Sequence, residues 1–317
     1  MTPRKEWALG AVFAAATVTF GLLFADKATI DTLMRLSIFG LLALSLNMLV
    51  GYAGLVSFGH AMFFGFGAYI FGLLMQTNAV SIPVAALLTL AGTCVWGAVS
   101  GALCIRLTEI YFSFLTLAFQ MLLYSIISGW VSLTGGDQGL MGGIPRPPFL
   151  GIDLGQPHQL FVLTVVIFTL CVLAIRQIVQ SPFGYALRMI RDNPERARFL
   201  GVPVQRYKLR AFILSGVFGS ISGILMSLYV SGAYPNFAFW TMSGDAIIMI
   251  ILGGITVFTG PLVGAVVFEL LNNYINRITE HHGMVMGVVL LLIVLGLRKG
   301  FLDVLDEWWQ ARKGAAR

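Results

Sequence analysis

The sequence predicts an all-α, polytopic membrane protein with about ten transmembrane or re-entrant helices and a helical cytoplasmic loop, organised as one transmembrane domain over 1–317. Three observations carry this. Of 317 residues, 58% are hydrophobic and only 11% are charged, whereas about a quarter of a soluble domain is charged. Mean hydropathy is +0.88, and long charge-free runs recur, so lipid is the solvent for most of the chain. The formal net charge of +6 is also concentrated: the basic residues between Arg176 and Arg210, set against Asp192 and Glu195, leave the same +6. In a soluble protein that excess would point to nucleic acid. Between membrane spans it marks the cytoplasmic side, so no nucleic-acid partner is expected.

In chain order, the N-terminal set over 7–175 holds apolar runs at 7–24, 36–50, 61–76, 82–105, 110–130 and 160–175. The basic loop 176–210 follows, then a C-terminal set over 211–297 with runs at 211–230, 245–258, 261–276 and 283–297, and a tail at 298–317. A crossing needs roughly 17 to 25 residues. The runs 36–50, 245–258 and 283–297 fall short, which predicts helices that are broken, re-entrant or dependent on their flanks. A cleaved signal peptide is the alternative reading of 7–24, but the run is long for one and the remaining spans make the protein polytopic regardless. With the N-terminus inside, Arg4, Lys5, Arg106, the 176–210 loop and the tail all lie in the cytoplasm. Only Lys27, Arg35, Arg146 and Arg277 are left outside, and both termini are cytoplasmic.

Small residues one helical turn apart, at Gly97 and Gly101, Gly260 and Gly264, and Ser215, Gly219 and Gly223, predict close helix packing in lipid. Cys94, Cys104 and Cys171 sit in apolar runs and read as packing residues rather than a disulfide or zinc set. The segment Asn47–Tyr69 is dense in glycine and carries Ser57 and His60 without a formal charge. At membrane depth this predicts an interrupted helix, tolerated where protein or a water-filled path satisfies the freed backbone. Leu252–Gly264 has the same texture in the second half. Both segments are candidates to line a path.

Within the basic loop, Ser181 is placed as an N-cap with Pro182 at the first helical position. Phe183, Leu187 and Ile190 then recur at helical spacing opposite Arg188 and Arg191. Asp192 or Asn193 caps a second helix that starts at Pro194, carries Glu195 in its first turn and stops at Gly201. An ordered pair of helices here reads as a docking element for a cytoplasmic partner; the alternative is a basic amphipathic stretch on anionic lipid.

Catalytic chemistry is missing, and no enzyme is expected. No Gly-Lys pair occurs, so there is no phosphate-cradling P-loop. His60, His158, His281 and His282 lack a metal-ligand spacing, Thr134 replaces the first glycine an intramembrane aspartyl protease would need before Gly135-Gly136-Asp137, and no Gly-x-Ser-x-Gly elbow exists. Glu269, an ionisable residue within a span, is followed by Asn272, Asn273 and Asn276 on one helical face. That stripe is either part of a path or a helix end emerging at the outer interface.

Four blocks in order, LSLNMLVGYAGLVSFGHAMFFGFGAY at 44–69, TGGDQGL at 134–140, SPFGYALRMIRDNPERARFLGVPVQRYKLRAF at 181–212 and LGGITVFTGPLVGAVV at 252–267, resemble the permease subunits of branched-chain amino acid ABC importers. The M-type subunit fits better than its H-type sister. The resemblance implies a bacterial inner-membrane importer in which this chain and a second, H-type permease form the path. Two cytoplasmic ATP-binding subunits, which hold ATP and magnesium, and a periplasmic substrate-binding protein complete it; this chain carries no cofactor of its own. It also implies a coupling element at about 181–201, with Pro182, Arg188, Arg191, Pro194, Glu195, Ala197 and Gly201 as its residues. Glu195, Ala197 and Gly201 resemble the Glu-Ala-Ala and Gly of ABC permease loops, with Arg196 standing where the pattern has its first alanine. Residues 131–158 and 231–244 would meet the binding protein. Asn47, Ser57, His60, Gln120, Glu269 and Asn273 are the candidates to line the path. Leucine, isoleucine and valine are the implied substrates, with urea, short amides or other amino acids as alternatives. An ion-coupled secondary transporter using Glu269 is the runner-up.

Overall fold

The computed structural model describes residues 26–296 except 108, 141, 148–152, 279 and 280. The run at 7–24 and the tail at 298–317 therefore lie outside the described residues. From 36–50 onward, every predicted run overlaps a helix, the run 245–258 being displaced since its helix spans Trp240–Gly253: α1 (Lys27–Asn47), α2 (Ala61–Gln76), α3 (Ile82–Cys104), α4 (Glu109–Gly129), α6 (Pro157–Gln180), α9 (Val204–Val230), α10 (Trp240–Gly253), α11 (Gly260–Ile278) and α12 (His282–Gly296). Short helices α5 (Val131–Thr134), α7 (Pro182–Asp192) and α8 (Pro194–Phe199) lie between them. The described residues contain no strand, and the chain is an all-α, multi-pass membrane protein.

One of the shortest predicted runs, 36–50, proves to belong to one of the longest spans. α1 continues through a π segment, Met48–Ala53, into a 27-residue apolar helix. The charge-free criterion cut it at Arg35 because Lys27, Asp31 and Arg35 occupy its first turns. α9 likewise begins at Val204 rather than 211, with Arg206, Lys208 and Arg210 in its opening turns. α1 and α9 form the buried centre, and α2 packs along α9. Glycine makes that contact possible: a Cβ at Gly223 would lie 2.0 Å from the Phe64 carbonyl oxygen. Aromatic edges fill the space around it, with Phe63 against Phe212 and Phe112 against Phe212 at ring separations of 5.3 and 6.0 Å.

Two helices are short and end in breaks. α2 has 16 residues and α10 has 14, so each covers only about 21 to 24 Å of a hydrocarbon layer about 30 Å thick. The first break, 54–60, joins the π segment to α2; the second, 254–259, joins α10 to α11. Gly54 and Gly254 open them with φ of 68° and 118°. The π segment before the first break meets the second, since a Cβ at Gly51 would be 2.8 Å from the carbonyl oxygen of Ile255. At the opposite end of the bundle, backbone bonds run from Leu140 N to Ala233 O (2.9 Å) and from Ile144 N to Ser231 O (3.0 Å). Gln76 Nε2 donates to Gly143 O at 2.9 Å, and Arg146 Nη2 donates to Tyr229 O at 3.0 Å. Burial lowers the Arg146 pKa from its ordinary value.

Candidate functional site

The end that carries the breaks also carries the basic loop. α7 starts after Ser181, whose backbone is extended as an N-cap should be, but its hydroxyl donates back to Ile178 O (2.6 Å) rather than accepting from the helix. The capping expectation for Ser181 is thus corrected: a hydroxyl can serve a preceding carbonyl as readily as a following amide. Asn193 does cap α8, its Oδ1 accepting from Arg196 N at 2.8 Å. The helix then closes at Gly201 in the left-handed region, φ 83°.

The two helices of the loop divide their side chains between an inner and an outer surface. Leu187, Ile190 and Ala197 are buried, and Ile190 and Ala197 pack with Val204 at the start of α9. Phe183 stacks on Tyr207 at 5.4 Å. Arg188 places its guanidinium over Tyr185 and Tyr52, at 4.4 and 5.8 Å, and donates to Val179 O. Arg191 donates from Nη1 to the carbonyl of Gly51 and from Nε and Nη2 to Asp192 Oδ1. Both arginines therefore hold the loop to its own membrane helices. Outward face Pro182, Pro194, Glu195, Arg196, Arg198, Leu200 and Gly201. Phe199 is 91% exposed and adjoins Leu200, 68% exposed.

The path candidates form two clusters and one separate pair. Ser45 Oγ and His60 Nε2 are 2.8 Å apart, and Gly219 leaves the room for that contact. Gln120 donates to Ala238 O (3.1 Å) and accepts from Ser243 Oγ (3.0 Å), which in turn accepts from the Ala61 amide at the start of α2. Ser113 Oγ donates to Val56 O in the first break. Asn47 and Ser57 are buried, and their side-chain polar atoms find no hydrogen-bond partner; Asn47 Oδ1 lies against Gly51. Glu269 is elsewhere. Its Oε1 is 2.6 Å from Nε of Arg35, a charge contact with angles outside those of a hydrogen bond, and Arg35 sits twelve residues, about 18 Å, before Asn47 along α1.

Of the six path candidates all but Asn273, which is half-buried, are enclosed within the chain. In this conformation His60 and Gln120 bond across helix contacts, Glu269 pairs with Arg35, Asn47 and Ser57 make no side-chain hydrogen bond, and none of these reaches a surface. Ser45, Ser113 and Ser243 complete the clusters and were not singled out from sequence. A lone serine in an apolar helix carries no spacing signal, and only the fold pairs it. Among the described residues no group of His, Cys, Asp or Glu is arranged to hold a metal ion. Cys104 and Cys171 are buried and Cys94 is exposed, all as free thiols.

Residues 28–294 match the model of the branched-chain amino acid transport system / permease component family. The chain is 23% identical to the high-affinity branched-chain amino acid transport system permease protein LivM of Escherichia coli K12, over 92% of this chain and 74% of that one. It is 26% identical to a probable branched-chain amino acid transport permease protein LivM of Methanocaldococcus jannaschii, over 83% and 89%. A third relative, the autoinducer 2 import system permease protein LsrD of Escherichia coli O157:H7, is 25% identical over 97% and 96%. No solved structure matches. With nearly the whole described chain inside the match, the protein belongs to the branched-chain amino acid transport permease family.

Proposed function

We propose that this chain is the M-type permease subunit of a bacterial inner-membrane ABC importer for branched-chain amino acids. In this reading it pairs with an H-type permease, takes substrate from a periplasmic binding protein, and is driven by two cytoplasmic ATP-binding subunits that hydrolyse ATP with magnesium. One observation carries the reading most directly: a two-helix element, capped by Asn193 and closed at Gly201, is bonded inward by Arg188 and Arg191 and offers Phe199 outward. A rigid element of this kind, open on one side and anchored on the other, is suited to pass motion from a docked subunit into the bundle.

Around Phe199, exposed Glu195, Arg196 and Arg198 would rim an apolar contact, the composition of a docking patch. At the other end, Asp137, Gln138 and Tyr234 are exposed, and in this reading they belong to the surface that meets the binding protein. Path lining by Asn47, Ser57, His60, Gln120, Glu269 and Asn273 would require the enclosed ones among them to be uncovered as the breaks move. The orientation follows from charge: the loop end is cytoplasmic, as are both termini.

Branched-chain amino acids are the proposed substrate because that is what the LivM relatives' names state. The LsrD relative makes autoinducer 2 the comparison that matters. Vesicles holding the reconstituted complex, offered labelled leucine, isoleucine, valine, urea and autoinducer 2, should take up the first three when ATP is inside. Uptake of autoinducer 2 or urea in their place would overturn the substrate assignment.

A further inference from the structure

We infer that Arg191 is the positioning residue through which movement of the coupling element reaches the two transmembrane breaks; this rests on the coupling role proposed above. The contact runs from a side chain on α7 to the backbone of a membrane helix 140 residues away in sequence: Nη1 of Arg191 donates to the Gly51 carbonyl in the middle of the π segment. Because the receiving atom is main chain, no rotation of a side chain on the receiving side can absorb the movement. Asp192 Oδ1, 3.2 and 3.1 Å from Nε and Nη2, fixes the guanidinium plane. A planar fork held on one edge sets direction as well as distance on the other.

The receiving segment is built to respond. A π turn interrupts the α-helical hydrogen-bond pattern, and such turns recur at functional sites. It closes with Leu55 N bonded back to Leu49 O at 2.9 Å and with Gly54 in the left-handed region. Arg191 also packs on Gly54, where a Cβ would be 2.8 Å from the arginine Cγ. Any other residue there would lift the arginine off the turn. From Gly51 the contact continues to the second break through the Ile255 carbonyl. Arg176, at the end of α6 just before α7, reaches the same break with its guanidinium 5.8 Å from the centre of the Phe258 ring. The segment 176–191 thus touches both breaks, and Arg191 carries a hydrogen bond to the main chain of the π segment that leads into the first.

The test uses the full complex in proteoliposomes and reads labelled leucine taken up per ATP hydrolysed, together with the amount of ATPase subunit that co-purifies. Arg191→Ala should lower uptake per ATP by about tenfold, the scale of one lost hydrogen bond from a charged donor, with the ATPase subunits still bound. Arg191→Lys, which donates without the fork, should fall between Ala and wild type. Asp192→Ala, at an exposed position, should show a smaller loss in the same direction. Wild-type uptake per ATP in Arg191→Ala would overturn the inference. So would loss of the ATPase subunits from that variant, since the arginine would then serve assembly. If Arg191→Ala fails to insert, wild-type ratios in both Arg191→Lys and Asp192→Ala overturn it. A wild-type complex whose uptake needs no ATP removes the proposed function itself, and is recognised before any variant is made.

Discussion

The Arg35–Glu269 pair predicts an asymmetry that ordinary reasoning about salt bridges would miss. The two side chains differ in exposure, 34% for Arg35 and 1% for Glu269. Removing the arginine strands a carboxylate that has no other way to water, and breaking a buried pair from that side costs about 3 kcal/mol, the low end of the range because the exposed flank of Arg35 admits some solvent. Replacing the acid with Glu269→Gln instead removes the buried charge and leaves an arginine long enough to reach the interface, which costs about 1 kcal/mol or less. At about 2 to 4 °C per kcal/mol, Arg35→Ala should lower the apparent unfolding midpoint of the detergent-solubilised chain several degrees more than Glu269→Gln does. The double variant Arg35→Met/Glu269→Met should recover most of the loss. Equal shifts, or a larger one for Glu269→Gln, would refute the assignment of Glu269 as the enclosed partner. The same variant separates the transport readings, because an ion-coupled transporter using Glu269 would stop working as Glu269→Gln, whereas an ATP-driven permease with a structural pair there would continue.

Three further outcomes follow from the loop and the outer plate. Asn193→Ala removes the only side-chain cap of a six-residue helix; it should cost about 1 kcal/mol and appear as faster amide exchange over 194–202, and unchanged exchange would contradict the cap. Glu195→Lys and Gly201→Pro should leave insertion intact and reduce uptake together with transport-stimulated ATP hydrolysis, and normal uptake in both would sink the coupling assignment. Deleting 135–143 should abolish uptake while the ATPase subunits remain bound, whereas full uptake would show that the binding protein docks elsewhere.

Much of this fold was readable because lipid imposes a simple rule. Helices over 61–76, 82–105 and 110–130 were placed within a residue or so by absence of charge alone. That rule failed where a charge finds a partner or a helix end: Arg35 is answered by Glu269, and Arg206, Lys208 and Arg210 lie in the opening turns of α9, so α1 and α9 are longer than their apolar runs. Glycine density located both breaks, yet the π turn left no separate mark in the sequence, since its residues are as apolar as the helix before it. In the loop, Asn193 and Gly201 were legible as local caps. The partners of Arg188 and Arg191 were not, because a contact between Arg191 and Gly51 is a property of the folded chain. The path candidates were recognised as polar residues in apolar surroundings. The partners of His60 and Gln120, namely Ser45, Ser243 and Ala238 O, were not readable, because only the fold brings them together.

In the proposed function, this permease moves substrate only when a separate ATPase acts on the 182–201 element. The direct measurement is labelled leucine uptake into proteoliposomes holding the whole complex, with ATP, binding protein and an ion gradient each supplied or withheld. Uptake should require ATP and binding protein together and be indifferent to the gradient. Uptake by this chain alone, driven by the gradient without ATP, would contradict the account.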